Sequence, residues 1–299
     1  TLPVVIRHGA LHAGRNFGRI TLRNVYARIN IDVTVARGET ARPAEKSERR
    51  QKQTLETALV RLYVDYRLDK LRTREWLAQT GKLISRMNAL APEDVRFQLY
   101  TAHYLITASR ESEAVWVLDR VRTSVEETVS YGETMRAYFL YLETLLSREE
   151  IKISSVEVIL GGMLSRNPDN WRIAWLLMYL SDEYQKKPSM RWKMLSEEFR
   201  LGSRSPILYI EAYSMVLLNP AILYELGPFE LSILNYASKE GILSSGVMSQ
   251  INYLAQRSKL FSVQLFRILV RGYEDEQLAH LQTETLSCIC SLLIKGNVS

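Results

Sequence analysis

Ser205-Pro206-Ile207-Leu208-Tyr209-Ile210-Glu211-Ala212-Tyr213 is the stretch whose reading decides the fold. Its proline stands in a series: Pro92, Pro168 and Pro206 lie 76 and 38 residues apart, and 76 is twice 38. Laid out at a period of 38, Pro92-Glu93-Asp94-Val95 falls over Pro168-Asp169-Asn170-Trp171 and Pro206-Ile207-Leu208-Tyr209. The intervening register, Ser130-Tyr131-Gly132-Glu133, offers the same kind of helix start. Proline suits the first turn of a helix, where its missing N–H would have no partner anyway. Seven residues into each register come Leu99, Ala137, Trp175, Tyr213 and Ile251; ten in come Ala102, Leu140, Met178, Val216 and Leu254. Two apolar columns repeated five times define one buried helix face.

Each register also holds a second helix, near Glu111–Arg122, Ser154–Ser165, Pro188–Arg200, Gly227–Ser238 and Ser262–Gly272. Two helices per 38 residues lie between the tetratricopeptide and HEAT lengths. The expected fold is therefore mainly α: a right-handed α-α superhelix of tetratricopeptide-like hairpins over residues 54–299. Glu276 to Lys295 reads as the first helix of another repeat or as a final cap. Upstream, apolar residues occupy every odd position from Val25 to Val35, the alternation of a half-buried strand. Ile20 and Leu22 form a shorter strand, and Leu2 to Ile6 a third. Residues 1–40 thus read as a β segment, a hairpin or the tail of a sandwich-like module, and residues 41–53 as a charged linker.

The chain has 299 residues, 46% of them apolar, with 39 Lys+Arg against 33 Asp+Glu. That composition excludes disordered, collagen-like and disulfide-scaffold classes. Two cysteines point to a reducing compartment. No run of 18 apolar residues occurs, so a membrane span is not expected. Without an initiator Met or a signal pattern, the chain reads as a piece of a longer cytoplasmic protein.

The charge is uneven. Residues 1–86 hold 18 Lys+Arg and 8 Asp+Glu, while residues 87–299 hold 21 and 25. Arg49, Arg50, Lys52, Arg67, Arg72 and Arg74 are the candidate contacts to an anionic partner, nucleic acid or a charged surface. Interleaved acids such as Glu48, Glu56 and Asp65 favour a solvated helical face instead.

No motif for catalysis is met. Gly9-Ala10-Leu11-His12-Ala13-Gly14-Arg15-Asn16 has the glycine spacing of a phosphate loop, but Arg15 and Asn16 stand where Lys and Ser/Thr are required. His8, His12, His103 and His280 form no metal-ligand pattern. Cys288 and Cys290 are about 200° apart on a helix and cannot clasp one metal. Neither enzyme activity nor a cofactor is expected. A stripe beside the repeated core is the candidate protein-binding groove: Arg96, Tyr100, Arg136, Tyr138, Tyr141, Arg172 and Tyr179, with His103 among them. Tyrosine and arginine are the side chains enriched at binding hot spots.

The segment from Ser205 to Tyr213, with Pro220-Ala221-Ile222-Leu223, Gly227-Pro228-Phe229-Glu230 and Cys288-Ile289-Cys290-Ser291-Leu292-Leu293-Ile294-Lys295, resembles a family of large bacterial proteins of unknown function. These are long, multi-domain proteins of Gram-positive anaerobes, with β modules beside tetratricopeptide-like repeats. The resemblance covers about the last two hundred residues and rests on packing motifs. It implies a cytoplasmic interaction or scaffold protein and carries no activity. The expected function is a non-catalytic protein-interaction module; nucleic-acid or anionic-surface binding through the basic stretch is the alternative.

Overall fold

A computed structural model of the chain describes residues 14–23, 28–37, 43–127, 132–147, 149–258 and 261–298. The chain divides into two compact units, Thr1–Thr54 and Leu55–Ser299. In the first, strands β1 (Gly14–Arg23) and β2 (Arg28–Arg37) pair antiparallel, with Ile20 opposite Ile31 and Leu22 opposite Ile29. The alternation expected from Val25 to Val35 coincides with β2 from Arg28 onward, and its first residues, 25–27, lie outside the described residues. The third strand expected at Leu2 to Ile6 lies outside the described residues, as do His8, Gly9 and His12.

The charged segment read as a linker is helical instead, because α1 runs from Pro43 to Arg67. Pro43 opens the helix, no further Gly or Pro interrupts it, and Glu48 pairs with Lys52 one turn on at 3.0 Å. Residues rich in Glu, Lys, Arg and Gln lose little rotamer freedom in a helix, so high charge does not imply an irregular chain.

The second unit is helical among its described residues. Helices α3 (Val95–Thr107), α5 (Gly132–Ser147), α7 (Trp171–Leu180), α10 (Pro206–Leu218), α12 (Ser245–Arg257) and α14 (Gln282–Val298) begin 35 to 39 residues apart. Between them lie α4 (Glu111–Glu127), α6 (Glu150–Arg166), α9 (Pro188–Arg200), α11 (Pro228–Glu240) and α13 (Val263–Glu274). Helix α2 (Thr73–Leu90) precedes the series, and a five-residue α8 (Asp182–Lys186) joins α7 to α9. Most successive helices pack on each other, and the first helices of neighbouring registers also touch: α3 with α5, α5 with α7, α10 with α12 and α12 with α14.

Most of the columns read from sequence form the core. Leu99, Ala137, Tyr213 and Ile251, and likewise Ala102, Met178 and Val216, are buried; Trp175, Leu140 and Leu254 are half-buried. Tyr213, the largest buried side chain, has its hydroxyl satisfied by donation to the Ile242 carbonyl at 2.5 Å. Helix ends follow ordinary capping chemistry. Ser205, Ser244 and Ser262 accept from N–H groups of the first turns of α10, α12 and α13. Gly241, at φ +67°, closes α11 in the left-handed conformation that glycine adopts without penalty. Cys288 is buried and Cys290 exposed, as their spacing on one helix requires.

Candidate functional site

The second half of α1 makes polar contacts with residues far away in sequence. Its Glu56 carboxylate lies 3.1 Å from the Arg96 guanidinium on α3 and 3.4 Å from the Tyr100 hydroxyl. Farther along α1, Tyr63 meets the Trp175 ring edge-on at 5.9 Å between centroids and donates its hydroxyl to Glu211 Oε1 at 2.9 Å. Arg67 donates to the Tyr179 hydroxyl at 2.9 Å, to Ser214 Oγ at 3.2 Å and to Glu211 itself. Arg61 and Lys70 both reach Glu240 on α11, at 3.1 Å and 2.7 Å. One helix therefore touches α3, α7, α10 and α11.

Glu211 is the centre of this arrangement. Its side chain has 0% exposure. Tyr63, Tyr179 and Arg67 donate to Oε1, and Arg191 of α9 donates to Oε2 at 2.6 Å. A buried carboxylate is tolerated only when paired and hydrogen-bonded, and here two guanidinium groups and two phenols do so. Burial drives the Tyr63 hydroxyl far above its ordinary pKa, and the neighbouring Glu211 carboxylate adds to the rise. For Arg67, burial works against the charge, but Tyr63 and Glu211 outweigh it and hold the guanidinium protonated. The Arg191 guanidinium also stacks over the Tyr179 ring, 5.1 Å from its centroid.

The sequence-derived groove residues divide into two groups. Tyr100, Tyr138, Tyr141 and Tyr179 line the side met by α1 or by the neighbouring first helix. Tyr138 Oη lies 2.7 Å from His103 Nδ1, joining α5 to α3, and the His103 and Tyr141 rings meet edge-on at 6.4 Å. Burial pushes Tyr100 up to about 12, with Glu56 adding to the shift, and holds His103 down at about 4. The imidazole is therefore neutral at physiological pH and shares one hydrogen bond with the Tyr138 hydroxyl. Arg96 is engaged with Glu56 and Asp94. Arg136 and Arg172 remain exposed, Arg172 stacked over the Trp171 ring at 5.0 Å.

The basic set is also split. Arg67 is committed to Glu211, and Lys52 pairs with Glu48. Arg49, Arg50, Arg72 and Arg74 are exposed, and the Arg72 backbone N–H is capped by Glu75 at 3.2 Å. Glu211, Tyr63, Arg191 and Glu240 carry no motif in the sequence. Their one signal is a carboxylate, Glu211, set inside the apolar run from Ile207 to Leu218.

A second feature is an open cleft between α2, α3 and α4, lined by Gly81, Lys82, Asn88, Thr101, Arg110 and Trp116. Asn88 bonds to Thr101 and Gln98, and Arg110 pairs with Glu113, so much of its polar lining is satisfied within the fold. Among the described residues no group of three His, Cys, Asp or Glu side chains is gathered to hold a metal. No described helix is long and apolar enough to cross a membrane.

Fold and site together define a mainly helical protein, with a buried ion-pair cluster fastening one long helix to several others. Over residues 1–299 the chain matches the family described as Family of unknown function (DUF5717), N-terminal, and it belongs to that family. No curated protein and no solved structure matches it.

Proposed function

We propose that residues 54–299 form a right-handed superhelix of tetratricopeptide-like hairpins. On this reading it is a non-catalytic, cytoplasmic protein-interaction module of a larger bacterial protein, binding a helix on its inner face. The observation that carries this reading is α1 itself. Its residues 56–67 lie against the tyrosine and arginine stripe, meeting Arg96 and Tyr100 at one end and Tyr179 and Glu211 at the other. A surface that holds a helix in cis has the chemistry to hold one in trans, by the helix-in-groove mode of recognition. Helix α1 packs Leu55, Ala58, Leu59 and Leu62 in a cluster with α2 and α3, but its contacts with α7, α10 and α11 run mainly through the long side chains of Tyr63, Arg67 and Arg61. Such contacts are exchanged more readily than an interdigitated core.

A fluorescent peptide of residues 54–72 tests this. It is expected to bind the Arg67→Ala chain at micromolar concentration. The unaltered chain should bind at least tenfold more weakly, because its tethered α1 competes at an effective concentration in the millimolar range. Absence of binding to the Arg67→Ala chain, with its helical content intact, would sink the reading. For the anionic-partner alternative the probe is a single-stranded oligonucleotide, whose binding must collapse as salt rises. The commitment of Arg67 and Lys52 to carboxylates argues against it.

A further inference from the structure

Helices α12 and α14, the first helices of successive registers, pack on each other. Helix α14 meets α12 through residues three and six places from its start at Gln282. Asn252 Nδ2 donates to Thr285 Oγ1 at 3.0 Å, and Cys288 Sγ donates to the Asn252 carbonyl at 3.4 Å. On α12 the residue six places from Ser244 is Gln250, which reaches back to the Leu223 carbonyl at 2.6 Å. On α12, Asn252, eight places from Ser244, faces α14, and Met248, four places from it, lies beside Gly272 of α13, so this side of α12 is covered by the elements that follow it.

Positions four and eight are covered on the two earlier helices. Ile210 and Met248 hold position four and are buried; Ser214 and Asn252 hold position eight and are half-buried and buried. On α14 the same places are Leu286 and Cys290. Leu286 is 45% exposed and Cys290 is exposed. Leu293, at 45%, and Ile294, at 66%, extend the strip along the same side, within about 100° of arc. A helix that ends a repeat array normally turns a polar face outward. This one does not.

We propose that the Leu286–Cys290–Leu293–Ile294 strip is the docking face for a further repeat helix. That helix belongs to the same polypeptide, in the part downstream of the N-terminal region that the family description delimits. The docked helix presents small or apolar side chains three and six places from its start, as α14 presents Thr285 and Cys288 to α12. Continuity with the α12–α14 contact sets its register. The inference is independent of what the inner face binds.

Maleimide labelling under native conditions, read by mass spectrometry, compares the 299-residue chain with the full-length natural protein. In the shorter chain Cys290 is expected to label rapidly, while buried Cys288 does not. In the full-length protein Cys290 is expected to label at least tenfold more slowly. In that protein, Leu286→Glu with Leu293→Glu is expected to restore Cys290 labelling while Cys288 stays protected, which separates undocking from unfolding. Equal Cys290 rates in the two proteins overturn the proposal. So does protection in the 299-residue chain that grows with its own concentration, because a second copy would then be the occupant.

Discussion

Glu211 brings together residues that the sequence presents as unrelated. Arg67 belongs to the basic stretch and Tyr179 to the aromatic stripe, and both converge on one carboxylate more than 30 residues from either. Partners separated by 144 and 148 positions leave no local pattern, so that convergence was not legible. What was legible was the residue chemistry: tyrosines and arginines in register with the core. Removing one member of such a buried set leaves the others unpaired, which costs about 3 kcal/mol. Arg67→Ala is therefore expected to lower the unfolding free energy in urea by about that much, and Arg49→Ala, on an exposed cation, by less than about 0.5 kcal/mol. Glu198 offers a second test. Burial pushes its carboxyl from 4.5 up to about 7, with Asp169 adding to the rise. Because the folded value lies above the unfolded one, the folded state keeps the proton through that window. Stability is therefore fullest below about pH 4.5 and declines as pH rises through 7. Glu198→Gln, which imitates the protonated acid, is expected to stabilise the chain at pH 8 by about 1–3 kcal/mol and to leave it unchanged at pH 4. A thermal melt at each pH decides it.

At the scale of elements, the 38-residue spacing located the helices well because their starts carry local chemistry. Pro206 opens α10, Pro188 opens α9 and Pro228 opens α11. The expected second helix at Pro188–Arg200 coincides with α9, and the other four begin or end within a few residues of their expected bounds. Two errors have physical causes. The segment from Pro43 to Gln53 is dense in charge but equally dense in good helix formers, and period alone does not see that. Helix α8 is a single turn with no buried residue, too short for any hydrophobic periodicity. The contribution of a cap is measurable here. Ser205 Oγ accepts the Ile207 N–H at 3.3 Å, satisfying one of the first-turn donors that a helix leaves open. Ser205→Ala is expected to cost about 1 kcal/mol, and Ser205→Asp to recover most of it, by chemical denaturation.

For the molecule as a whole, the described residues of the helical unit form four buried clusters, joined at their edges by half-buried side chains such as Tyr104, Tyr138 and Tyr184. The largest draws on α7 and α9 to α14, two others on α3 to α5 and on α5 to α7, and the fourth on α1 to α3. Where helices pack mainly on those near them in sequence, distant parts open independently. Helix α1 departs from that rule. Through Glu56 it holds α3, and through Tyr63, Arg67 and Arg61 it holds α7, α10 and α11, helices that do not follow it in the chain. A strap across several helices makes their opening a common event. Native-state hydrogen exchange with peptide-level readout is therefore expected to give α3 and α10 similar opening free energies in the unaltered chain. In the Arg67→Ala chain those values should diverge by about 1–3 kcal/mol, with α3 opening first because its own cluster is the smaller. Ser205→Ala, which weakens α10 without touching α1, serves as the control and should lower both together. If Arg67→Ala also lowers both together, α1 is only one more packed helix, and cooperativity comes from the packing of neighbouring helices.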